Sequence, residues 1–243
     1  MSDGSYKQSQ RLLGEQTRML YDAAWTSSLA SLVNGSILVF VLWSVVDHLT
    51  LTIWLLVLVL VMATRLSIYR LYRKASSSET KIVPWARCVV GGSLAAALLW
   101  GGAVIWLFPS DSIGHQVFVA FVIGGMCASA VTNLSFLKIP VLAYLTLTLV
   151  PLGIQFLLSD SSLSLAMSFM ILLFLGITVM SALRIYDNTA LNITLRFEAA
   201  DREKALCESE ERYRSIFESA PLGVVHYDAD GVVQSCNPML TNQ

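Results

Sequence analysis

Long apolar runs separated by short polar segments occupy most of the chain, and polar residues dominate only after about residue 184. Six of these runs approach or exceed the ~20 residues that a helix needs to cross the hydrocarbon core of a bilayer. They cover residues 25–46, 51–67, 88–108, 115–136, 139–158 and 163–183. The pattern predicts an all-α membrane protein with a six-helix transmembrane module over residues 25–184.

Composition agrees with a membrane location. Of the 243 residues, 55% are hydrophobic and 14% are charged, which is too apolar for an ordinary soluble domain. The formal net charge of -1 offers no basic surface for nucleic acid, so a nucleic-acid partner is excluded. Cys88, Cys127, Cys207 and Cys236 lack the close spacing of a zinc or redox motif, and we expect free thiols.

The distribution of basic residues predicts the orientation. All 16 lysines and arginines lie before the first span, near the second and fourth connections, or after the sixth span. They are Lys7, Arg11, Arg18, Arg65, Arg70, Arg73, Lys74, Lys81, Arg87, Lys138, Arg184, Arg196, Arg202, Lys204, Arg212 and Arg214. Because positive residues concentrate in cytoplasmic loops, we expect both termini in the cytoplasm. Arg65, near the end of the second span, is expected to extend to the interface.

Residues 1–24 repeat apolar positions at helical spacing, with charged residues between them. One interpretation is a cytoplasmic helix that lies in the membrane interface. The alternative is an N-terminal extension of the first span, and the pattern favours neither.

A signalling helix is predicted over residues 185–217, which contain no proline or glycine. Apolar residues recur there at spacings of mostly three and four, with polar interruptions, as in a weak two-helix seam. The dimer-helix positions are Leu191, Leu195, Ala199, Leu206, Tyr213 and Ile216. A lone solvated helix is the alternative, and we favour a parallel homodimer.

Alternating residues replace the helical pattern after Phe217. The runs "GVVHYD" and "VVQSCN", separated by "ADG", predict two strands joined by a tight turn. With Pro221 before them and Asn237-Pro238 after them, residues 218–243 resemble the beginning of a PAS domain. The resemblance covers about a quarter to a third of a typical domain, and it implies that the PAS domain is incomplete here and that an output domain is missing.

Six spans followed by "LRFEAADREKALCESEERYRSIFESAP" resemble bacterial membrane signalling proteins in which a MASE-like multi-span module precedes PAS domains. The "LW" pair at Leu99, the "LFPSDSIGHQ" loop and Arg65 at the end of span two add to the likeness. The resemblance implies a location in the bacterial inner membrane. It also implies an output that is a diguanylate cyclase, a phosphodiesterase or a histidine kinase.

Uncharged polar residues within the spans are the candidate ligand-binding groups. We expect a small-molecule ligand in the outer half of the bundle, at Asn34, Trp100, Asn133, Tyr144 and Gln155. Bonds between helices are the commoner use of such residues. Pro151 is expected to kink the fifth span and expose carbonyl groups there.

The predicted external loops bring a second candidate set, which could bind a divalent cation or respond to pH. It comprises Asp47, His48, Asp111, His115 and Asp160. Ordinary solvated loop ends are the favoured alternative, because the spacing has no metal signature. The sequence assigns no cofactor and contains no catalytic motif.

Three functions fit these features. A sensory input module fits the spans, the signalling helix and the resemblance together. A small-molecule transporter or channel is the first alternative, although the absence of acidic residues inside the spans argues against coupled transport. A passive membrane anchor that only promotes dimerisation is the second.

Overall fold

A computed structural model of the protein describes residues 3–75, 82–109, 112–159 and 161–241. Within these ranges, six helices are long and apolar enough to cross a membrane, which confirms the predicted helical, multi-pass architecture. They are α1 (Asp3–Leu42), α2 (His48–Ala75), α3 (Ile82–Trp106), α4 (Ile113–Leu134), α5 (Lys138–Leu157) and α6 (Ser162–Ser219). Short connections join successive helices, which therefore run in alternating directions.

Helix α1 continues without a break through the segment that precedes the first predicted span. The structure therefore shows the extension rather than a separate helix in the membrane interface. Tyr21 explains why the segment is held in the bundle: its ring stacks on Tyr72 at 4.0 Å between centroids, and its hydroxyl donates to the carbonyl of Trp85 at 3.0 Å. These contacts bind α1 to the end of α2 and the beginning of α3.

The most extensive helix contact in the described bundle joins α3 and α5. Pro151 has no N–H group to donate to the carbonyl of Leu147, one turn earlier in α5. That carbonyl lies against Gly101 of α3, where a side-chain Cβ would overlap its oxygen. A carbonyl freed by proline is thus covered by a glycine on the neighbouring helix. The expectation of a carbonyl exposed to a ligand is wrong at this position.

Helix α6 contains both the predicted sixth span and the predicted signalling helix. It contains no proline, and it ends at Ser219 because Pro221 disfavours the helical conformation of the residue before it. The chain divides into two compact units, Met1–Leu191 and Asn192–Gln243. In the first unit, Ser168 Oγ donates to the carbonyl of Gly153 at 3.0 Å and so attaches α6 to α5.

The second unit contains a small antiparallel hairpin of β1 (Val225–Tyr227) and β2 (Val233–Cys236), followed by α7 (Pro238–Thr241). Gly231 occupies the turn with a φ of 80°, a conformation that favours glycine. Asn237 is fully buried; its side chain accepts from the N–H of Val224 at 2.9 Å and donates to the carbonyl of Leu222 at 2.8 Å. The predicted strands, turn and helix start are confirmed, whereas the PAS assignment stays a prediction.

Candidate functional site

Arg65 is a cation within a candidate membrane span. It follows the beginning of α2 by about 26 Å at 1.5 Å per residue, inside the apolar segment His48–Lys74. Its side chain is partly buried and lines a cavity inside the bundle. Arg65 therefore contacts the interior of the bundle, and its extension to the interface stays a prediction. Charged residues in such positions mark functional sites in membrane proteins more often than structural ones.

The cavity lies between five helices and has a volume of about 30 Å³. Helices α1 and α4 contribute hydroxyl and amide groups, α2 contributes Arg65, α3 contributes a small residue and α5 contributes a phenol. The lining residues are Ser27, Ser31, Arg65, Ala96, Met126, Ser129, Ala130, Asn133, Leu134 and Tyr144. Among the described residues, the lining therefore contains one cation, several neutral polar groups and no carboxylate.

A glycine on α3 makes room for the arginine. A Cβ atom at Gly92 would lie 3.2 Å from Cγ of Arg65, so the aliphatic part of the arginine packs directly against the backbone of α3. The neighbouring Gly91 faces open space, with no atom within 4 Å of its corresponding position. Of these two adjacent glycines, Gly92 is the one that positions Arg65.

The polar groups of the cavity have few partners within the protein. Among the described residues, no carboxylate lies within ion-pair distance of Arg65, whose Nη1 is 3.8 Å from Sδ of Met62. Tyr144 is 4% exposed, and in the described part of the chain its hydroxyl has no hydrogen-bond partner. Asn133 Nδ2 donates to Oγ of Ser129 at 3.1 Å. Buried polar groups normally find partners, so the Tyr144 hydroxyl is an exception that calls for an explanation.

The structure brings together part of the predicted ligand-binding set. Asn133 and Tyr144 line the cavity, and Asn34 donates to Sδ of Met126, which also lines it, at 3.3 Å. Trp100 instead packs edge-on against Trp54, with 5.3 Å between ring centroids.

Gln155 also lies away from the cavity, about 16 Å further along α5 than Tyr144. The reason is the antiparallel arrangement of α4 and α5. Asn133 and Tyr144 both lie near the short connection between these helices, whereas Gln155 lies near the far end of α5. The five residues do not form one site, and the cavity is at the end of the bundle opposite to the predicted outer half.

Sequence reasoning did not assign Arg65 and the serines to the site. The available signal was a basic residue in the last turn of an apolar run, in a helix that continues to Ala75. Small residues four positions apart, such as Ser27 with Ser31, indicated close helix packing but not the polar lining. The convergence of five helices could not be read from either signal.

The predicted external cation or pH set is only partly described, since Asp111 and Asp160 lie outside the described residues. Among the residues that are described, no three His, Cys, Asp or Glu side chains are close enough to hold a metal ion. His115 Nδ1 is 2.7 Å from the hydroxyl of Ser112, which is a local contact within the beginning of α4.

Asp47 and His48 also have local partners. The Asp47 carboxylate accepts hydrogen bonds from the backbone N–H and the hydroxyl of Thr50, at 2.9 and 3.1 Å. These bonds favour the charged form and lower the pKa of Asp47. The ring of His48 stacks on Trp43, with 4.4 Å between centroids. Such contacts are typical of the beginning of a helix.

The predicted dimer positions on α6 are all solvent-exposed in the single chain. They are Leu191, Leu195, Ala199, Leu206, Tyr213 and Ile216. An exposed apolar stripe on a charged helix is what a two-helix seam requires. The homodimer itself stays a prediction.

No family model matches the chain, and comparisons with curated proteins and solved structures likewise give no match. The function must therefore be argued from the geometry described above.

Proposed function

We propose that the protein is the membrane sensory input module of a bacterial signalling protein. In this proposal, the six spans detect a stimulus in the inner membrane, and α6 carries the signal to a cytoplasmic PAS domain and an output enzyme. The observation that carries the proposal is the continuity of α6 from Ser162 to Ser219. A helix that is continuous along the chain can pass a small shift in the bundle to whatever follows it.

The attachment of α6 supports a role in transmission. In the membrane part of α6, large apolar side chains such as Phe169, Leu172 and Ile177 point away from the bundle and are more than half exposed in the single chain. Apart from Ile171, the buried face carries small or polar residues, including Ser168 and Ala182. A helix held by a narrow face can shift at lower cost than one packed on all sides.

The proposed orientation rests on the basic residues. In the structure, Arg70, Arg73, Lys74 and Arg87 lie at the ends of α2 and α3 that are joined to each other. Lys138 begins α5 at the same end of the bundle. This one-sided charge supports cytoplasmic termini.

Dimerisation would allow the output domain to respond to a shift of α6. The seam positions of α6 would pair two copies of the chain, and polar residues such as Arg202 and Ser209 would keep the pairing weak. Two helix phases separated by a few kcal/mol can both be populated, so a small input can bias the choice between them.

An insertion experiment tests this proposal in the full-length protein with its output domain. Four residues inserted after Ala200 would rotate the downstream part by about 40° relative to the bundle, whereas seven nearly restore the phase. We expect the four-residue insertion to lock or abolish regulation and the seven-residue insertion to retain it. Equal output from the two insertions, or a monomer in nanodiscs, would contradict the proposal.

A transporter or channel is a second candidate, and Arg65 is the observation that favours it. Intramembrane cations occur in substrate pathways as well as in sensors. Flux of a small solute through proteoliposomes that contain the purified protein would support this alternative. A passive anchor would instead leave output unchanged when the spans are exchanged for an unrelated six-helix segment.

A further inference from the structure

The cavity around Arg65 has the chemistry of an anion site. We infer that it binds one small monovalent anion, with a halide such as chloride as the ligand and the carboxylate of a short organic acid such as formate as a competitor. The site is formed by Arg65, Tyr144 and Asn133, and Gly92 holds the arginine in place.

Charge is the first argument. The guanidinium group of arginine keeps its proton in proteins. Arg65 lies in a largely apolar bundle, and no described carboxylate compensates its charge. A cation in such surroundings attracts a counter-charge more strongly than it would in water, because the local dielectric constant is low. A bound anion would supply the counter-charge that the protein does not.

Hydrogen-bond donors are the second argument. Tyr144 lines the cavity and is almost fully buried, and its hydroxyl lacks a partner within the described chain. An anion can accept from this hydroxyl and from the guanidinium of Arg65 together. The side-chain amide of Asn133 carries a second N–H beyond the one that it donates to Ser129, and this group is a third donor at the same cavity.

Size limits the ligand. A cavity of about 30 Å³ has room for roughly two water-sized groups. That space suits a halide or a carboxylate with a very short chain better than it suits a phosphorylated lipid headgroup. Binding does not require the protein to be a sensor. A role of the anion as the stimulus rests on the proposed sensory function.

The test uses the purified protein in nanodiscs, with gluconate, a carboxylate too large for the cavity, as the background anion. Chloride is titrated while the linewidth of its chlorine NMR signal is measured, and formate is then added as a competitor. We expect saturable broadening by the wild-type protein that formate reverses. If formate reverses it and acetate does not, chain length limits the site; if neither competes, the site takes halides.

Variants connect the signal to the cavity. Tyr144→Phe removes one donor and should weaken chloride binding about tenfold. Arg65→Gln removes the charge and should weaken it on the order of 100-fold. Gly92→Leu should displace the arginine and weaken binding as well. Two matched controls, Arg70→Gln on the same helix and Gly91→Leu beside Gly92, should bind chloride like the wild type.

Several results would overturn the inference: no saturable broadening by the wild-type protein, unchanged binding by Tyr144→Phe, or equal losses in Gly91→Leu and Gly92→Leu. If Arg65→Gln fails to fold, the phenylalanine variant still decides the question, since it removes a single hydroxyl. Chloride binding without phase-dependent output would leave the site standing and reject the sensory function. Output that depends on helix phase, without chloride binding, would support the sensory function and reject the anion site.

Discussion

The α3–α5 pair and the membrane part of α6 differ in how much of each helix is buried, although all three helices are strongly apolar. The most apolar segment of α6 is more hydrophobic than those of α3 and α5. Even so, 50% of the residues in the α3 and α5 segments are buried inside the protein, compared with 22% in α6. Hydrophobicity therefore does not decide which helix is central.

Residue size and backbone access explain the difference. Lipid tails are as apolar as a leucine side chain, so burial between membrane helices gains little from hydrophobicity itself. Helix α3 has Ala96, Ala97 and Gly101 on its buried face, and these residues permit close approach to neighbouring helices. Helix α6 instead carries bulky side chains on an outward face that suits contact with lipid or with a second copy.

The largest expected effect follows from Gly101→Leu. The new side chain would overlap the carbonyl of Leu147 and force α3 and α5 apart. We expect a loss of about 3 kcal/mol in the free energy of unfolding, seen as a lower thermal midpoint or loss of monodisperse protein in detergent. Gly91→Leu on the same helix faces open space and should have little effect. Similar losses in the two variants would show that the α3–α5 contact is not special.

A smaller effect is expected at the attachment of α6. Ser168→Ala removes the hydrogen bond to the carbonyl of Gly153, and such bonds between membrane helices contribute about 0.6 kcal/mol on average. Ser67→Ala is a matched control, because in the described part of the chain the Ser67 hydroxyl donates to the carbonyl of Ala63 in its own helix and to no other helix. If thermal unfolding showed Ser168→Ala to be as damaging as Gly101→Leu, α6 would be a core helix and the comparison would fail.

The smallest effect is expected from Asp187→Asn. Lys138 Nζ, at the beginning of α5, lies 3.6 Å from Oδ1 of Asp187 in α6, and both side chains are about half exposed or more. Exposed pairs of this kind typically contribute less than about 1 kcal/mol and are screened by salt. The thermal midpoints of variant and wild type should therefore differ slightly at low ionic strength and coincide at high ionic strength. A difference that persisted in high salt would indicate a buried interaction instead.

The elements were predictable because each depends on local pattern. Apolar runs of sufficient length predicted the six spans, and the absence of proline and glycine from residues 185–217 predicted the exit helix. The turn at Asp230 and Gly231 predicted the hairpin, which forms with Gly231 at positive φ. The extension of α1 was left open, since the packing of Tyr21 on Tyr72 joins positions far apart in sequence.

The site was predictable only in part. Asn133 and Tyr144 were singled out as polar groups in apolar helices, and both line the cavity. Arg65 was not grouped with them, because the sequence places it near the end of a predicted span and does not show that five helices converge there. Gln155 was included in the same set, although the rise of the α5 helix by itself places it about 16 Å from Tyr144.

The sequence by itself determined the number of membrane helices, the continuous exit helix and the hairpin, because chain-local hydrophobicity, helix propensity and turn chemistry specify them. Only the tertiary structure decided which helices are central and which polar groups meet. In a bilayer any apolar helix face can contact lipid favourably. The helix arrangement therefore depends on close fits such as Gly101 against Leu147 and Gly92 against Arg65. Those fits join residues that are distant along the chain. They bring Arg65, which has no carboxylate partner among the described residues, to the cavity that Tyr144 also lines.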